Sequence, residues 1–126
     1  MKSLIALPFA VLMVVSSQVF AACLYITDSY TNIVPGGAEQ TAYGPFTITS
    51  ANGCSNANVE ARISALGVGR APEVYIEREI GASWTRETFG IGSNATYNGP
   101  LGTYRVRVKN NEELPKAYSG TARYGR

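Results

Sequence analysis

Apolar and polar side chains alternate with a period of two along most of this chain. In the segment Thr103 to Lys109, Tyr104, Val106 and Val108 alternate with three cations. Successive side chains of a β-strand point to opposite faces, so this pattern predicts strands with one buried face. Beyond residue 22, no window keeps apolar residues at helical spacing for three turns, and Gly or Pro interrupts most stretches. The sequence therefore predicts an all-β protein.

The predicted strands are short and separated by turns, which favours a small antiparallel β-sandwich, jelly-roll or Ig-like, of about seven to eight strands. Pro45 suggests that its strand lies at a sheet edge, because proline cannot donate to a ladder. Turns are expected at Ile33–Gly37 and Gly81–Ala82, and the glycine-containing stretch from Gly90 is also assigned to turns. The strands are predicted at 24–31, 43–49, 58–65, 73–80, 83–89, 103–109 and 118–124.

The inward faces of three of these strands predict the core. Each contributes apolar residues that recur with a period of two. Arg78 interrupts the apolar face of the 73–80 strand, which indicates a strand end or a bulge there. Ile80 is expected on the same inward face. The predicted core residues are Val59, Ile63, Val74, Ile76, Tyr104, Val106 and Val108.

The N-terminus has the pattern of a secretory signal peptide. Met1-Lys2 supplies a positive start, Leu4 to Val15 is apolar, and Val19-Phe20-Ala21 is typical of a cleavage site. The apolar run is too short for a usual membrane span, and no later segment approaches the roughly 20 residues required. We therefore expect a signal peptide at 1–21, a single domain at 22–126 and a periplasmic or extracellular protein without a transmembrane segment.

The two cysteines, Cys23 and Cys54, are the next constraint. In an oxidising compartment an even count predicts one disulfide. An alternative is a lipid anchor on Cys23, because Ala21-Ala22-Cys23 resembles the end of a bacterial lipoprotein signal. Phe20 stands where that signal prefers leucine, and the anchor would leave Cys54 unpaired, which favours the disulfide.

Charge and side-chain chemistry exclude several functions. Without Lys2 the chain has ten basic and nine acidic residues, too balanced for a nucleic-acid-binding protein. It contains no histidine, which removes the commonest general base and the usual zinc ligand, and Asp28 is its only aspartate. We therefore expect no enzyme activity, no cofactor and no metal site.

Three glutamates, Glu73, Glu77 and Glu79, lie on one predicted strand. They could be the paired carboxylates of a glycoside hydrolase. Cations alternate outward on other strands, so the interpretation we favour is cross-strand pairing of these acids and bases on a solvated face. The cations are Arg105, Arg107, Lys109 and Arg123.

The candidate binding residues are Trp84, Arg86, Tyr97 and Tyr75. Trp84 is the only tryptophan, and in a small sandwich a single tryptophan commonly belongs to the core. Its neighbours, Gly81-Ala82-Ser83 and Thr85-Arg86, are instead typical of a hairpin that presents an aromatic to a partner. Both interpretations stay open at this point. The region from Gly81 to Gly102 also contains Phe89 and is the richest in aromatics and glycines.

From about Phe46 onward the chain resembles the secreted bacterial β-sandwich domains of the pre-peptidase C-terminal type. The residues that carry the resemblance are Val74-Tyr75-Ile76-Glu77, Gly102-Thr103-Tyr104-Arg105-Val106-Arg107-Val108 and Tyr118-Ser119-Gly120-Thr121-Ala122. The resemblance implies a β-sandwich. The aspartates that often bind calcium in that family are absent, so no calcium role follows.

These observations predict a non-catalytic exported module that binds a protein or a glycan. The alternatives are a structural or accessory subunit of a cell-surface assembly, which an exposed edge strand would favour, and a secreted inhibitor of a hydrolase. Neither the partner nor the oligomeric state follows from the sequence.

Overall fold

The computed structural model describes residues 23–88 and 92–126, which form strands and turns without a helix. The predicted signal peptide lies outside the described residues. Eight strands are formed within them, and the β4 bounds agree with the prediction. They are β1 (Tyr25–Val34), β2 (Glu39–Ile48), β3 (Ala57–Ala65), β4 (Glu73–Ile80), β5 (Ser83–Arg86), β6 (Asn94–Gly99), β7 (Gly102–Lys109) and β8 (Lys116–Gly125).

The strands form two four-stranded sheets, ordered β1-β8-β3-β6 and β2-β7-β4-β5. Every paired neighbour is antiparallel. The first strand pairs with the last, the second with the seventh, the third with the sixth and the fourth with the fifth. A long hairpin whose tip is the β4–β5 turn would give this order when rolled up. The fold is therefore a jelly roll, which decides between the two predicted sandwich types.

The inner faces of the two sheets meet in one hydrophobic core. All seven predicted core residues are buried, and Tyr104 and Tyr118 are the largest side chains with almost no exposed surface. The period-two pattern of β3, β4 and β7 thus assigned the inward faces correctly. Ile80 is the exception: it is 46% exposed because the pairing of β4 with β7 ends at Arg78.

Two strands near the N-terminus are longer than predicted. Strand β1 continues through Ile33 to Val34, and the turn follows it, where Ala38 N donates to Pro35 O at 3.1 Å. Strand β2 begins at Glu39 rather than Tyr43. Its ladder with β7 has two register shifts, on either side of Tyr43, and these shifts disrupt the alternation that would have revealed the whole strand. The predicted edge position of β2 is confirmed.

Strand β6 was assigned to turns and is the main error of the secondary-structure prediction. Its inward side chains include only Ala95 and Tyr97, which give too weak an alternation to recognise. Strand β5, by contrast, is shorter than predicted. It was expected to reach Phe89 but ends at Arg86, and Phe89 lies outside the described residues.

The predicted disulfide is present between Cys23 and Cys54, whose Cα atoms lie 4.4 Å apart. It ties the start of β1 to the turn before β3, and closing a loop of this length stabilises the fold by about 3.7 kcal/mol in the chain-entropy model. A Cβ atom at Gly125 would lie 2.4 Å from Cys23 Sγ, so glycine is required beside the bridge. Because the Cys23 sulfur is in the disulfide, it is not free to carry the thioether lipid of the alternative interpretation.

Candidate binding face

The outward side of the β2-β7-β4-β5 sheet carries an interlocked set of arginines, glutamates and aromatic residues. Strand alternation places them on one face, and they come from all four strands. We name this surface the arginine–aromatic face. It consists of Glu39, Tyr75, Glu77, Trp84, Arg86, Arg105 and Arg107.

Glu77 on β4 is the centre of this face. It lies opposite Arg105 of β7 and Arg86 of β5 in the strand register. Its Oε1 accepts from Arg105 Nε at 3.0 Å and Nη2 at 2.8 Å, and its Oε2 accepts from Arg86 Nε at 3.1 Å and Nη2 at 2.9 Å. Although it is only 6% exposed, this carboxylate is therefore fully hydrogen-bonded.

Glu39 on β2 extends the network to the far edge of the sheet. It accepts hydrogen bonds from Arg86 and, at 3.2 Å, from Arg107 Nε, and Arg107 also donates to Thr41 Oγ1 at 2.9 Å. Desolvation opposes ionisation of Glu39, but the two arginines outweigh it and hold the pKa of this carboxyl below its ordinary value. Desolvation likewise opposes the charge on Arg86, yet its glutamate partners raise the pKa of its guanidinium.

Each of the two central arginines also stacks on an aromatic ring. The guanidinium of Arg86 lies 4.0 Å from the ring centroid of Tyr75, and that of Arg105 lies 4.3 Å from that of Trp84. Burial and a hydrogen bond from the Tyr75 hydroxyl to Glu73 raise the pKa of Tyr75 to about 12. Contacts therefore run without a break from Tyr75 through Arg86, Glu77 and Arg105 to Trp84.

Trp84 is partly exposed and lies outside the hydrophobic core. Its indole belongs to the outer side of an edge strand, where it covers Arg105. Of the two interpretations that the sequence left open, the structure therefore supports the hairpin residue that faces outward. The other interpretation, a core tryptophan, is not supported, since the core cluster does not include Trp84 and its largest fully buried side chains are Tyr104 and Tyr118.

The structure brings together three of the four predicted binding residues. Tyr75, Trp84 and Arg86 lie on the arginine–aromatic face, but Tyr97 does not. Tyr97 lies on the inward side of β6, in the other sheet, and its ring is 6.0 Å from that of Tyr104. The sequence did not reveal this separation because the strand that fixes the orientation of Tyr97 was not recognised.

The pairing of acids and bases across strands is confirmed by the Glu77 contacts. Two parts of that prediction need correction: Glu77 is buried rather than solvated, and Arg123 stacks on Tyr25 of the other sheet instead of facing the glutamates. Glu39 was not predicted at all, since β2 was expected to begin four residues later. The polar alternation of Glu39 and Thr41 is the sequence signal that could have revealed it.

Metal-ligating clusters and membrane-spanning helices are both absent from the described residues. Within 23–88 and 92–126, no group of three or more His, Cys, Asp or Glu side chains is arranged to hold a metal ion. The same part of the chain has no helix of the length and apolarity needed to cross a membrane.

No protein-family model matches this chain, and no curated protein matches it either. Among solved structures, it is similar to the mitogen YPM of Yersinia pseudotuberculosis, with a TM-score of 0.58 and 18% identity over 79% of this chain and 86% of that one. This likeness shows a shared β-rich fold.

Two other structural matches have lower scores. A designed double-stranded β-helix has a TM-score of 0.34 at 17% identity, covering 77% of this chain and 97% of that one. A subunit of Bacillus endospore appendages has a TM-score of 0.33 at 13% identity, covering 84% and 92%. Both scores are too low to support a comparison of folds. The resemblance to pre-peptidase C-terminal domains stays a prediction.

Proposed function

We propose that this chain is a non-catalytic exported module that binds a protein partner through the arginine–aromatic face. The observation that carries the proposal is the stacking of Arg105 on Trp84 and of Arg86 on Tyr75, on the outer side of a sheet. Tryptophan, tyrosine and arginine are the residues that most often dominate the energy of protein interfaces. The N-terminal signal pattern and the disulfide support export.

The side chains of this face are held in place before any partner arrives. Glu77 fixes two guanidiniums, and each guanidinium fixes a ring. A partner that contacts them does not have to order flexible arginines, so less conformational entropy is lost on binding. Arg86 and Arg105 keep about a quarter of their side-chain surface exposed, at 25% and 22%, which leaves them available for contact.

A protein partner fits this face better than a glycan does. Sugar rings bind by stacking on open aromatic faces, and here a guanidinium already covers one side of Trp84 and of Tyr75. Glu39 and Glu77 also offset two of the three arginine charges, which leaves little of the excess positive charge that an anionic glycan would require. The fold similarity to a protein described as a mitogen is compatible with a module that acts on cells.

The hydrogen bonds that Glu77 and Glu73 accept also argue against a glycoside-hydrolase function. A general acid needs an oxygen that can reach the substrate, whereas both oxygens of Glu77 accept hydrogen bonds from arginines. Glu73 accepts the hydrogen bond of Tyr75. These contacts favour the non-catalytic assignment that we propose.

Capture experiments with a matched control test the proposal. The oxidised protein is immobilised and exposed to the native extracellular milieu, and partners are quantified for the wild type and for Trp84→Ala. We expect Trp84→Ala to weaken binding by about 2 kcal/mol, or about 30-fold. Tyr25→Ala is the control, because Arg123 stacks on Tyr25 at 4.4 Å on the opposite sheet.

The pattern of losses decides between the possible outcomes. Equal capture by the wild type and Trp84→Ala, or an equal loss with Tyr25→Ala, contradicts the assignment to this face. Periodate treatment of the milieu distinguishes the partner class, since it destroys vicinal diols of sugars. Capture that disappears after periodate treatment would show a glycan ligand and overturn the choice of a protein.

A further inference from the structure

The free edges of the two sheets differ in length and in regularity. Strand β1 has ten residues, and all ten are in register with β8 without a shift. Strand β2 is equally long but contains Pro45 and two register shifts, which are features that protect an edge from pairing. The edges β5 and β6 have four and six residues. Strand β1 is therefore the longest regular edge of the described structure.

Hydrogen bonds at the two ends of β1 show which backbone groups face away from β8. In an antiparallel strand, the N–H and C=O of one residue point to the same neighbour, and the direction alternates along the chain. Leu24 O accepts from Arg126 N at 2.8 Å, so even-numbered residues face β8. At the other end Ile33 N donates to Asn32 Oδ1 at 2.8 Å, and Ile33 O accepts from Gln40 Nε2 at 3.0 Å, both away from β8.

The odd-numbered residues before Ile33 therefore present their backbone groups to the free edge. Within residues 23–88 and 92–126, the N–H and C=O groups of these residues have no protein hydrogen-bond partner. Their row is about the length of a typical strand pairing. The four residues are Tyr25, Thr27, Ser29 and Thr31.

The side chains along this edge do not oppose pairing. Native edges are commonly protected by lysine, by proline or by an inward-pointing charge. Strand β1 contains neither lysine, arginine nor proline, and its outward side chains at Thr27, Ser29 and Thr31 are small and uncharged. Its one acid, Asp28, does point inward with Tyr30 and Val34, but its carboxylate accepts a hydrogen bond from the Tyr43 hydroxyl and is therefore held within this copy.

We propose that β1 is a dimerisation edge at which a second copy of this chain adds its own β1 in antiparallel orientation. A strand edge is satisfied only by another extended strand, and β1 offers an uncharged, self-complementary one. Ser29 lies on the two-fold axis and faces Ser29 of the second copy, while Thr27 faces the second copy's Thr31. Each facing pair exchanges two hydrogen bonds.

Asp28 selects this register over its neighbour. An axis through Asp28 would place the two Asp28 carboxylates directly opposite each other, in the pair type whose side chains lie closest. With the axis at Ser29, Asp28 lies opposite Tyr30 of the second copy. The β1-β8-β3-β6 sheets of the two copies then form one continuous sheet. The arginine–aromatic face lies on the other sheet of each copy and stays open. The dimer and the proposed binding function are therefore independent of each other.

Sedimentation velocity of the disulfide-bonded chain, from micromolar to millimolar concentration, tests the proposal. We expect a reversible monomer–dimer equilibrium. Ser29→Pro removes the central N–H donors without touching the ladder with β8 and should weaken dimerisation about tenfold or more. Ser29→Ala keeps the N–H and should dimerise like the wild type. A wild type that stays monomeric at every concentration, or a dimer that survives Ser29→Pro, overturns the proposal.

A pair of double variants tests the register without a proline. Thr27→Lys with Thr31→Lys places like charges opposite each other across the proposed axis and should weaken the dimer. Thr27→Glu with Thr31→Lys places opposite charges there and should preserve or strengthen it. Equal dimerisation of the two double variants would show that β1 does not pair in this way.

Discussion

The two outward faces of this sandwich are built by the same alternation but differ in organisation. The arginine–aromatic face joins all four strands of its sheet through two carboxylates, the buried Glu77 and the partly buried Glu39. The outward face of the β1-β8-β3-β6 sheet, which we name the hydroxyl face, carries mainly short side chains. They include Thr27, Ser29, Thr31, Ser64, Ser119 and Thr121.

Charged pairs on the hydroxyl face are isolated. Arg62 and Glu60 lie 3.0 Å apart, with side chains 62% and 33% exposed, and within the described residues no ion pair links them to the stacked pair of Arg123 and Tyr25. The Glu77 side chain, in contrast, is 8% exposed between two arginines. Residue type alone therefore does not determine how a face is organised: a shared, desolvated carboxylate links two separate arginine–aromatic pairs into one connected network.

The largest difference between the faces should follow from removing their carboxylates. Glu77→Ala leaves the partly buried Arg105 without its carboxylate partner and Arg86 with Glu39 alone, and should lower the free energy of unfolding by about 3–5 kcal/mol. Glu60→Ala breaks an exposed pair and should cost less than about 1 kcal/mol. Urea unfolding of both variants measures the difference. Similar losses would show that the network is no more than a set of surface pairs.

Removal of the aromatic partners should give a smaller contrast. We expect Trp84→Ala to lower the free energy of unfolding by about 1–2 kcal/mol, since the indole covers Arg105 but lies outside the core. Tyr25→Ala, at the isolated pair, should cost less than about 1 kcal/mol. A core tryptophan would cost about 3–5 kcal/mol, and a thermal or urea denaturation result of that size for Trp84→Ala would contradict its placement.

The pH dependence of stability should also report on the ion pairs of the arginine–aromatic face. Because the pKa of Glu39 is lower in the folded protein than its ordinary value of 4.5, the unfolded chain binds a proton first as the pH falls. Its stabilising effect is present above about pH 4.5 and is lost as the pH falls through the lowered folded pKa. Glu39→Gln should flatten this acid limb in urea unfolding. The control is Glu113→Gln on an exposed loop, and an equal flattening there would refute the assignment.

The smallest effect concerns the exposure of the indole. Arg105 covers one side of Trp84, so Arg105→Ala should increase acrylamide quenching of tryptophan fluorescence. Arg123→Ala, the matched change on the hydroxyl face, should leave the quenching unchanged. Because Trp84 is the only tryptophan, the signal reports this residue alone. Wild-type fluorescence that is already blue-shifted and resistant to quenching would place the indole in the core.

The sequence predicted the parts of the fold in which alternation is strong. Strand β4 was predicted with the observed bounds, and β7 to within one residue, because their Val and Ile residues alternate with charges. Strand β6 was missed because Ala95 and Tyr97 give little contrast with their neighbours. The turn predicted at Ile33–Gly37 is present but begins only after Val34, because the pairing of β1 with β8, a contact distant in sequence, extends the strand.

The candidate site could be predicted only in part, for the same reason. Tyr75, Trp84 and Arg86 belong to one hairpin, so their proximity in space follows from their proximity in sequence. Glu39 joins them only through the strand order β2-β7-β4-β5, which a period-two pattern does not encode. Tyr97 was misplaced because its orientation depends on β6. The pairing of strands that are adjacent in sequence was therefore predictable, and the pairing of strands distant in sequence was not.

Site-specific photo-crosslinking tests the central claim, that the arginine–aromatic face binds a partner, most directly. A photoreactive amino acid is placed at Glu79, an exposed position opposite Trp84 in the ladder, or at Ser64, an exposed position on the hydroxyl face. After irradiation in the native extracellular milieu, we predict a discrete protein adduct from the Glu79 position and none from Ser64. An adduct that forms only from Ser64, or equally from both, would contradict the account.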